Sequence, residues 1–384
     1  MLRPLVVEKH MDLSLTETQE EFKKVAEDFV KAEVPAHQMT QWYKNKQTFR
    51  PELVKKAAEI GWLGMMLPEE YGGAGVSTMD CAVVFEALGH GPVPGPLFTS
   101  GVLSAQMVFE ACTEAQRKAL LPKICDGSSI VVPAITDKAA YWGPEAVETR
   151  LQKIPGGYLL SGAKRFVFDA DAATSFLCAA RTEEGKVVFL LVDAKAPGVK
   201  ITPHVGFFVS VAEVRFDRVA VIADSLLGTS GASWSTLEAA LDKALPILSA
   251  YQVGATQEVF DITCEYTRSR VVFGQPIGRF QRVQDHCVDI SINLDMARWA
   301  TYEAIWRIDS GMEARAGAHE AKATASEGYY HGTNYAHMVW AGPGTDYSHP
   351  MMAHSVLAHT LYQYLGTPGH HKRLMMDALY PRAN

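Results

Sequence analysis

Arg270-Val-Val-Phe-Gly-Gln-Pro-Ile-Gly-Arg-Phe-Gln281 joins two long helical patterns. Upstream, Val253, Val259, Phe260 and Ile262 lead at helical spacing to Tyr266 and Arg270. Gly274, Pro276 and Gly278 break that helix, and a new amphipathic run starts at Gln281. Arg270 suits a bidentate pair with a phosphate, Phe273 offers an aromatic face, and Gln281 can bond a base edge. Together they fit the diphosphate and adenine of a dinucleotide. A helix hairpin whose Arg caps carbonyls and whose Phe joins the core explains the same residues equally well.

The remaining composition excludes several classes. The chain has 384 residues, 48% apolar and 21% charged, which fits a soluble protein of two or three domains. Its net charge of −7 gives no electrostatic support to a nucleic-acid partner. No apolar run reaches the roughly 20 residues that span a bilayer. Residues 1–10 read as a ragged start rather than an address, so a cytoplasmic location is expected. The six cysteines show no C-x-x-C spacing, so neither a disulfide framework nor a zinc site is indicated.

Along the chain the periodicity changes twice. Thr16 with Gln19 forms a capping-box pattern ahead of Phe22, Val25, Ala26, Phe29 and Val30. Pro51 opens a second helix, Thr78 a third, and further helices are expected over 98–109 and 114–124. From Ser129 short β-rich runs follow at 130–132, 158–160, 166–168, 176–178, 187–192, 199–201 and 214–216. From Ser233 the pattern is helical again, over 235–270, 281–310, 314–341, 351–366 and 370–379. The expected organisation is an α+β multidomain chain: an N-terminal helical domain over 1–127, a middle β domain over 128–232 and a C-terminal helical bundle over 233–384.

The R-x-x-F-G-x-x-I-x-x-F-Q stretch resembles the flavin-contacting loop of the FAD-dependent acyl-CoA dehydrogenase family. Leu67-Pro-Glu-Glu-Tyr-Gly-Gly-Ala-Gly75 resembles that family's N-terminal signature, and the helix–β–helix order matches its architecture. The resemblance covers nearly the whole chain and is strongest over 241–281. It implies FAD as cofactor, an acyl-CoA substrate oxidised to its enoyl-CoA, and electrons passed to an electron-transfer flavoprotein. It also implies a homo- or hetero-tetramer built on the C-terminal helices, in which Arg270, Phe273 and Gln281 reach the FAD of a neighbouring subunit. Thr136 falls where the family bonds the flavin pyrimidine ring, and Phe166 where an aromatic lines the flavin. Gly342, in Trp340-Ala-Gly-Pro-Gly344, matches a turn near the diphosphate, and Gly366-Thr367 matches the family's G-T beside the flavin. Two departures are bulky: Trp142 stands where a Ser is usual, and Phe168 where a Thr is usual.

The family's proton acceptor is missing from both of its usual positions. Abstraction of the α-proton requires a carboxylate in reach of that carbon. Leu365 occupies the usual Glu position in Tyr364-Leu-Gly-Thr367, and Leu245 the alternative on the first long C-terminal helix. Three expectations follow. The chain is one subunit of a heteromer, since Leu88-Gly-His-Gly-Pro-Val-Pro-Gly-Pro96 resembles subunits of sterol-side-chain and ring-substrate acyl-CoA dehydrogenases. Alternatively another group acts, with Asp346 the candidate catalytic carboxylate, although a loop Asp just after a Gly is an ordinary turn former. Or the chemistry differs, as in a flavin-dependent monooxygenase-like relative in which histidines replace the carboxylate. His349, His354, His359, His370 and His371 cluster near the C-terminus, where surface-facing helix positions are the simpler account. A non-catalytic structural subunit that keeps the fold also fits.

Overall fold

A computed structural model of the chain describes residues 11, 14–45, 49–137 and 142–381, so the leader at 1–10 and residues 138–141 lie outside it. Helices come first: α1 (Glu17–Glu33), α2 (Ala36–Lys44), α3 (Pro51–Ile60), α4 (Thr78–His90), α5 (Ala105–Ala111) and α6 (Glu114–Cys125). Seven strands follow: β1 (Val131–Ala134), β2 (Arg150–Ile154), β3 (Gly157–Phe168), β4 (Ser175–Thr182), β5 (Val187–Asp193), β6 (Val199–Pro203) and β7 (Val211–Ile222). The rest is α7 (Trp234–Ser269), a hairpin of β8 (Val271–Val272) and β9 (Gln275–Pro276), α8 (Gln281–Asp309), α9 (Arg315–Trp340), α10 (Pro350–Gln363) and α11 (Pro368–Leu379). This is the helical, β, helical order that the periodicities predict.

Local chemistry sets the helix starts. The Thr16 hydroxyl accepts from the Gln19 N–H while the Gln19 side chain accepts from the Thr16 N–H. Ser77 with Asp80 and Thr113 with Gln116 make the same reciprocal cap. Instead of one helix over 98–109, a six-residue π-helical turn over Thr99–Ser104 leads into α5. It lays Thr99 and Ser100 against the strands: Ser100 Oγ accepts from the Val131 N–H at 3.0 Å.

β4 organises the sheet. One edge pairs antiparallel with β5, and the other is shared by β1 and β2, both parallel to it. β2 then continues antiparallel into β3, β7 and β6. The runs at 158–160 and 166–168 are one strand, β3, with a register shift on β7 between Lys164 and Val167. The extra residue is absorbed at Arg165 and Phe166, where Phe166 takes φ 51°. A bulge of this kind bends a strand and re-aims a side chain. Here the re-aimed side chain is Phe166.

The bundle closes on the first block through glycine. A Cβ at Gly89 of α4 would run into the Tyr251 carbonyl, and one at Gly254 of α7 into the Glu86 carbonyl. The two helices therefore cross with backbones nearly touching, which brings Leu88, Leu248 and Tyr251 together above the sheet end.

Candidate active site

A cavity of about 390 Å3 lies between the β3 bulge and the corner where α10 turns into α11. Thr136, Phe166 and Thr367, predicted from three separate stretches, all line it. Each is held by its own device. The Arg165 N–H donates to the Thr136 carbonyl at 2.8 Å, which ties the segment after β1 to the bulge. Phe166, 41% exposed, stands beside His204 and Phe207 at 5.4 and 6.4 Å between centroids. The Thr367 hydroxyl caps α11 by accepting from the His370 N–H, and its own proton is still available to donate.

Beneath Thr136 sits a buried ion pair that the sequence reading passed over. Lys164 Nζ donates to Asp137 Oδ2 at 3.0 Å and to the Ile135 carbonyl at 3.1 Å. The Asp137 carboxylate also accepts from Thr149 Oγ1 at 2.6 Å and the Glu148 N–H at 2.7 Å. A buried pair repays its desolvation only when the remaining donors and acceptors are met, as they are here. A sign was present in the sequence: Lys164 stands four residues from inward-facing Leu160, on the same face of β3.

The two bulky departures shape the cavity wall. Phe168 is buried and stacks on Tyr364 at 3.8 Å between centroids. Trp142 lines the cavity and packs edge-on against Trp234 at 5.8 Å. Leu365, at the family's Glu position, also lines it, with φ 60°. Leu245 is fully buried in α7.

Among the described residues lining this cavity there is no carboxylate. Asp346 is not there. It is an exposed turn residue whose Oδ1 accepts from both the Ser348 N–H and the Ser348 hydroxyl at 2.8 Å. Those bonds hold its carboxyl below the usual range, which makes it a poor proton acceptor. The cavity's titratable groups include two imidazoles. His359 Nδ1 lies 2.7 Å from the Ser355 carbonyl, which can only accept, so the proton sits on Nδ1 and Nε2 keeps its lone pair. His370 is the reverse. Arg373 donates to its Nδ1 at 3.2 Å, leaving the proton on a buried Nε2 that has no partner among the described residues. Burial, then Arg373, lowers the His370 pKa.

The account of the C-terminal histidines as surface residues needs correcting. His359 is exposed, but His354 and His371 are 1% exposed. His354 shares a 2.8 Å hydrogen bond with the Tyr329 hydroxyl, and His371 Nδ1 lies 3.0 Å from His319 Nδ1.

Arg270, Phe273 and Gln281 are together, but not at this cavity. Arg270 caps the far end of α7, Phe273 at the hairpin tip is 92% exposed, and Gln281 opens α8. Gly342 belongs to the same end, because Trp340 stacks on Tyr266 at 3.8 Å and donates to Thr263 Oγ1. From the Leu241 end of α7 that corner is roughly 40 Å away at 1.5 Å per residue.

The family pattern described as "Acyl-CoA dehydrogenase, N-terminal domain" matches residues 16–128, and "Acyl-CoA dehydrogenase, C-terminal domain" matches residues 231–380. The chain belongs to the acyl-CoA dehydrogenase family. Among acyl-CoA dehydrogenase relatives, a probable acyl-CoA dehydrogenase, YngJ, of Bacillus subtilis is 29% identical over 87% of this chain and 90% of its own. Butyryl-CoA dehydrogenase from Megasphaera elsdenii superposes with a TM-score of 0.87 at 24% identity, over 96% of this chain and 100% of that one. A chain of the ChsE4-ChsE5 complex from Mycobacterium tuberculosis superposes with a TM-score of 0.87 at 25% identity, over 97% and 100%. Among the described residues, no helix is long and apolar enough to cross a membrane.

Proposed function

We propose that this chain is an FAD-dependent acyl-CoA dehydrogenase. The observation that carries the reading is the convergence of Thr136, Phe166 and Thr367 on one cavity between β3 and the α10–α11 corner. The residues fit a flavin ring: a hydroxyl at each of two edges, an aromatic wall, and at Gly366 a backbone where a Cβ would press on His370 and His371. FAD, when bound, accepts the hydride taken from the acyl β-carbon and passes electrons on, in this reading to an electron-transfer flavoprotein.

The chain's own residues orient the ring and exclude water. Thr136 and Thr367 would donate to the flavin edge and Phe166 would cover one face, while the Phe168–Tyr364 stack closes the inner end of the cavity. The proton acceptor at the cavity is His359 Nε2, held in its accepting tautomer by Ser355. A hollow of about 220 Å3 on the other side of Trp142 and Leu365, with Arg373, Glu145 and the Arg315–Glu238 ion pair in its wall, offers the CoA portion a way in.

Arg270, Phe273, Gln281 and Gly342 act across a subunit boundary in this account. None of the four lines the cavity, so in this reading they serve the flavin of a neighbouring chain. Val288, Ile292, Met296 and Trp299 recur along one side of α8 and are all more than half exposed, which supports an assembly through this helix.

Leucine at 245 and 365 favours a second reading, in which the chain pairs with a different, base-bearing subunit, in line with the likeness to a chain of a two-component complex. Flavin content and acyl-CoA turnover with an artificial acceptor separate the two. Flavin with turnover that falls in His359→Asn supports the self-sufficient enzyme; flavin without turnover, or flavin held only on co-expression with a partner subunit, supports the pairing; failure to hold flavin both alone and with a partner overturns both.

A further inference from the structure

The close crossing of α4 and α7 gathers three metal-ligating side chains outside the cavity of the candidate active site. α4 ends at His90, next to Gly89, and a Cβ at Gly254 of α7 would press on the His90 backbone nitrogen at 3.1 Å. Glu258 and Asp261 stand one and two turns beyond Gly254 on the same side of α7. His90 Nε2 therefore lies 3.1 Å from Glu258 Oε2 and 3.6 Å from Asp261 Oδ2. All three atoms are within 4.8 Å of one another.

These separations have the size of a coordination shell. Nitrogen and oxygen ligands at about 2.0–2.1 Å from a tetrahedral zinc stand about 3.3 Å from each other. The second oxygen of Asp261 is already engaged: Gln257 Nε2 donates to Oδ1 at 2.8 Å, and Arg298 Nη2 donates to Gln257 Oε1 at 2.8 Å. That chain leaves Oδ2 turned toward His90, as outer hydrogen bonds orient the ligands of metal sites. Arg298 also pairs with Glu86 at 3.5 Å, so its charge is shared among three groups. A cavity of about 700 Å3 borders His90 and Asp261 and gives water room to complete a shell.

We propose that His90, Glu258 and Asp261 bind one divalent cation of the zinc class, which fastens the N-terminal helical block to the C-terminal bundle. The inference goes beyond the acyl-CoA reading and does not depend on it. Two carboxylates face one imidazole, and a dication balances their charge. His90 binds through the Nε2 lone pair, with its proton on Nδ1. Imidazole with two carboxylates suits Zn2+ better than Mg2+ or Ca2+, which take six or more oxygen ligands. The plain alternative is a protonated His90 in an ordinary ion pair with both carboxylates, which makes the same contacts.

The test titrates ZnCl2, with MgCl2 for comparison, into the full chain after treatment with a chelator, by calorimetry at neutral pH. Wild type should bind one Zn2+ per chain with a Kd of about 10 μM or lower, and Mg2+ at least about a hundredfold more weakly. His90→Ala and Asp261→Asn should each weaken Zn2+ binding at least about tenfold. Both side chains are partly exposed, and circular dichroism checks that the variants fold; either one carries the comparison if the other does not. Zn2+ should also raise the thermal midpoint of wild type and leave that of His90→Ala unchanged. No saturable Zn2+ binding by wild type, binding unchanged in the folded variants, or Mg2+ bound as tightly as Zn2+ overturns the inference and favours the plain ion pair.

Discussion

The ring of Phe168 lies on the ring of Tyr364, centroids 3.8 Å apart and planes 28° from parallel, and the pair divides the cavity of the candidate site from a smaller apolar one of about 50 Å3. Phe98 braces Tyr364 from the side at 6.2 Å in an edge-to-face contact. The partition thus joins the end of β3, the end of α10 and the residue just before the π-helical turn.

Removing the partition should trade stability for space. Phe168→Thr deletes a buried ring, at a cost of about 3 kcal/mol. It should also merge the cavities, so the variant gains affinity for longer acyl-CoA esters relative to butyryl-CoA. Denaturant melts and a chain-length series of binding constants check both effects. Loss of stability with an unchanged chain-length profile would show that the stack does not limit the acyl group.

The Lys164–Asp137 pair should behave as a support for Thr136. Lys164→Met leaves Asp137 buried without its cation, and the expected loss is about 3–5 kcal/mol. Flavin affinity should fall in the same variant, because the segment before Asp137 carries Thr136. The double change Lys164→Met with Asp137→Leu should recover much of the stability, which a double-mutant cycle measures.

Stability should fall on acidification because of buried neutral histidines. Burial lowers His319 to about 4 and His354 to about 3, while the unfolded chain protonates them at 6.5. Their contribution is therefore present above 6.5 and lost as the pH falls through the folded values. Coulombic repulsion from His90 and His349 adds to the His354 effect, and from Arg315 and His370 to that of His319. Asp169 works the other way: burial raises its folded pKa to about 7, above the ordinary 3.8, so its contribution is present in acid and lost as the pH rises through about 7. Equilibrium unfolding at neutral pH and at about pH 5 should show a net loss in acid that His354→Gln reduces.

Turnover should depend on one imidazole. His359→Asn removes the accepting nitrogen at the cavity and should lower the rate about a hundredfold with flavin content unchanged. A wild-type rate in that variant would exclude His359 as the proton acceptor.

Much of this was legible in the sequence, for identifiable reasons. Capping boxes at Thr16 and Thr113 and the breakers Gly274, Pro276 and Gly278 act locally, so the elements they bound could be placed from the chain alone. Thr136, Phe166 and Thr367 were read from a family resemblance, and the fold brings them together. The buried histidines were not legible because α10 is enclosed: Ala353, His354, Ser355, Leu357, Ala358 and Leu361 are all buried, which leaves no amphipathic stripe to show where His354 points. Asp169 was passed over because its burial comes from a contact with Thr99, seventy residues away in the chain. The short α2 begins directly after the helix-breaking Pro35, and β2 carries only Leu151 and Ile154 as apolar residues, so neither was legible as an element.

The central claim, that the cavity between β3 and the α10–α11 corner holds FAD, is tested most directly by titrating FAD into the flavin-stripped chain. Quenching of flavin fluorescence gives the affinity for wild type, Thr136→Val and Phe166→Ala. The account predicts saturable binding of one FAD per chain, weakened at least about tenfold in each variant. Binding that is unaffected by both changes, or no binding at all, would contradict it.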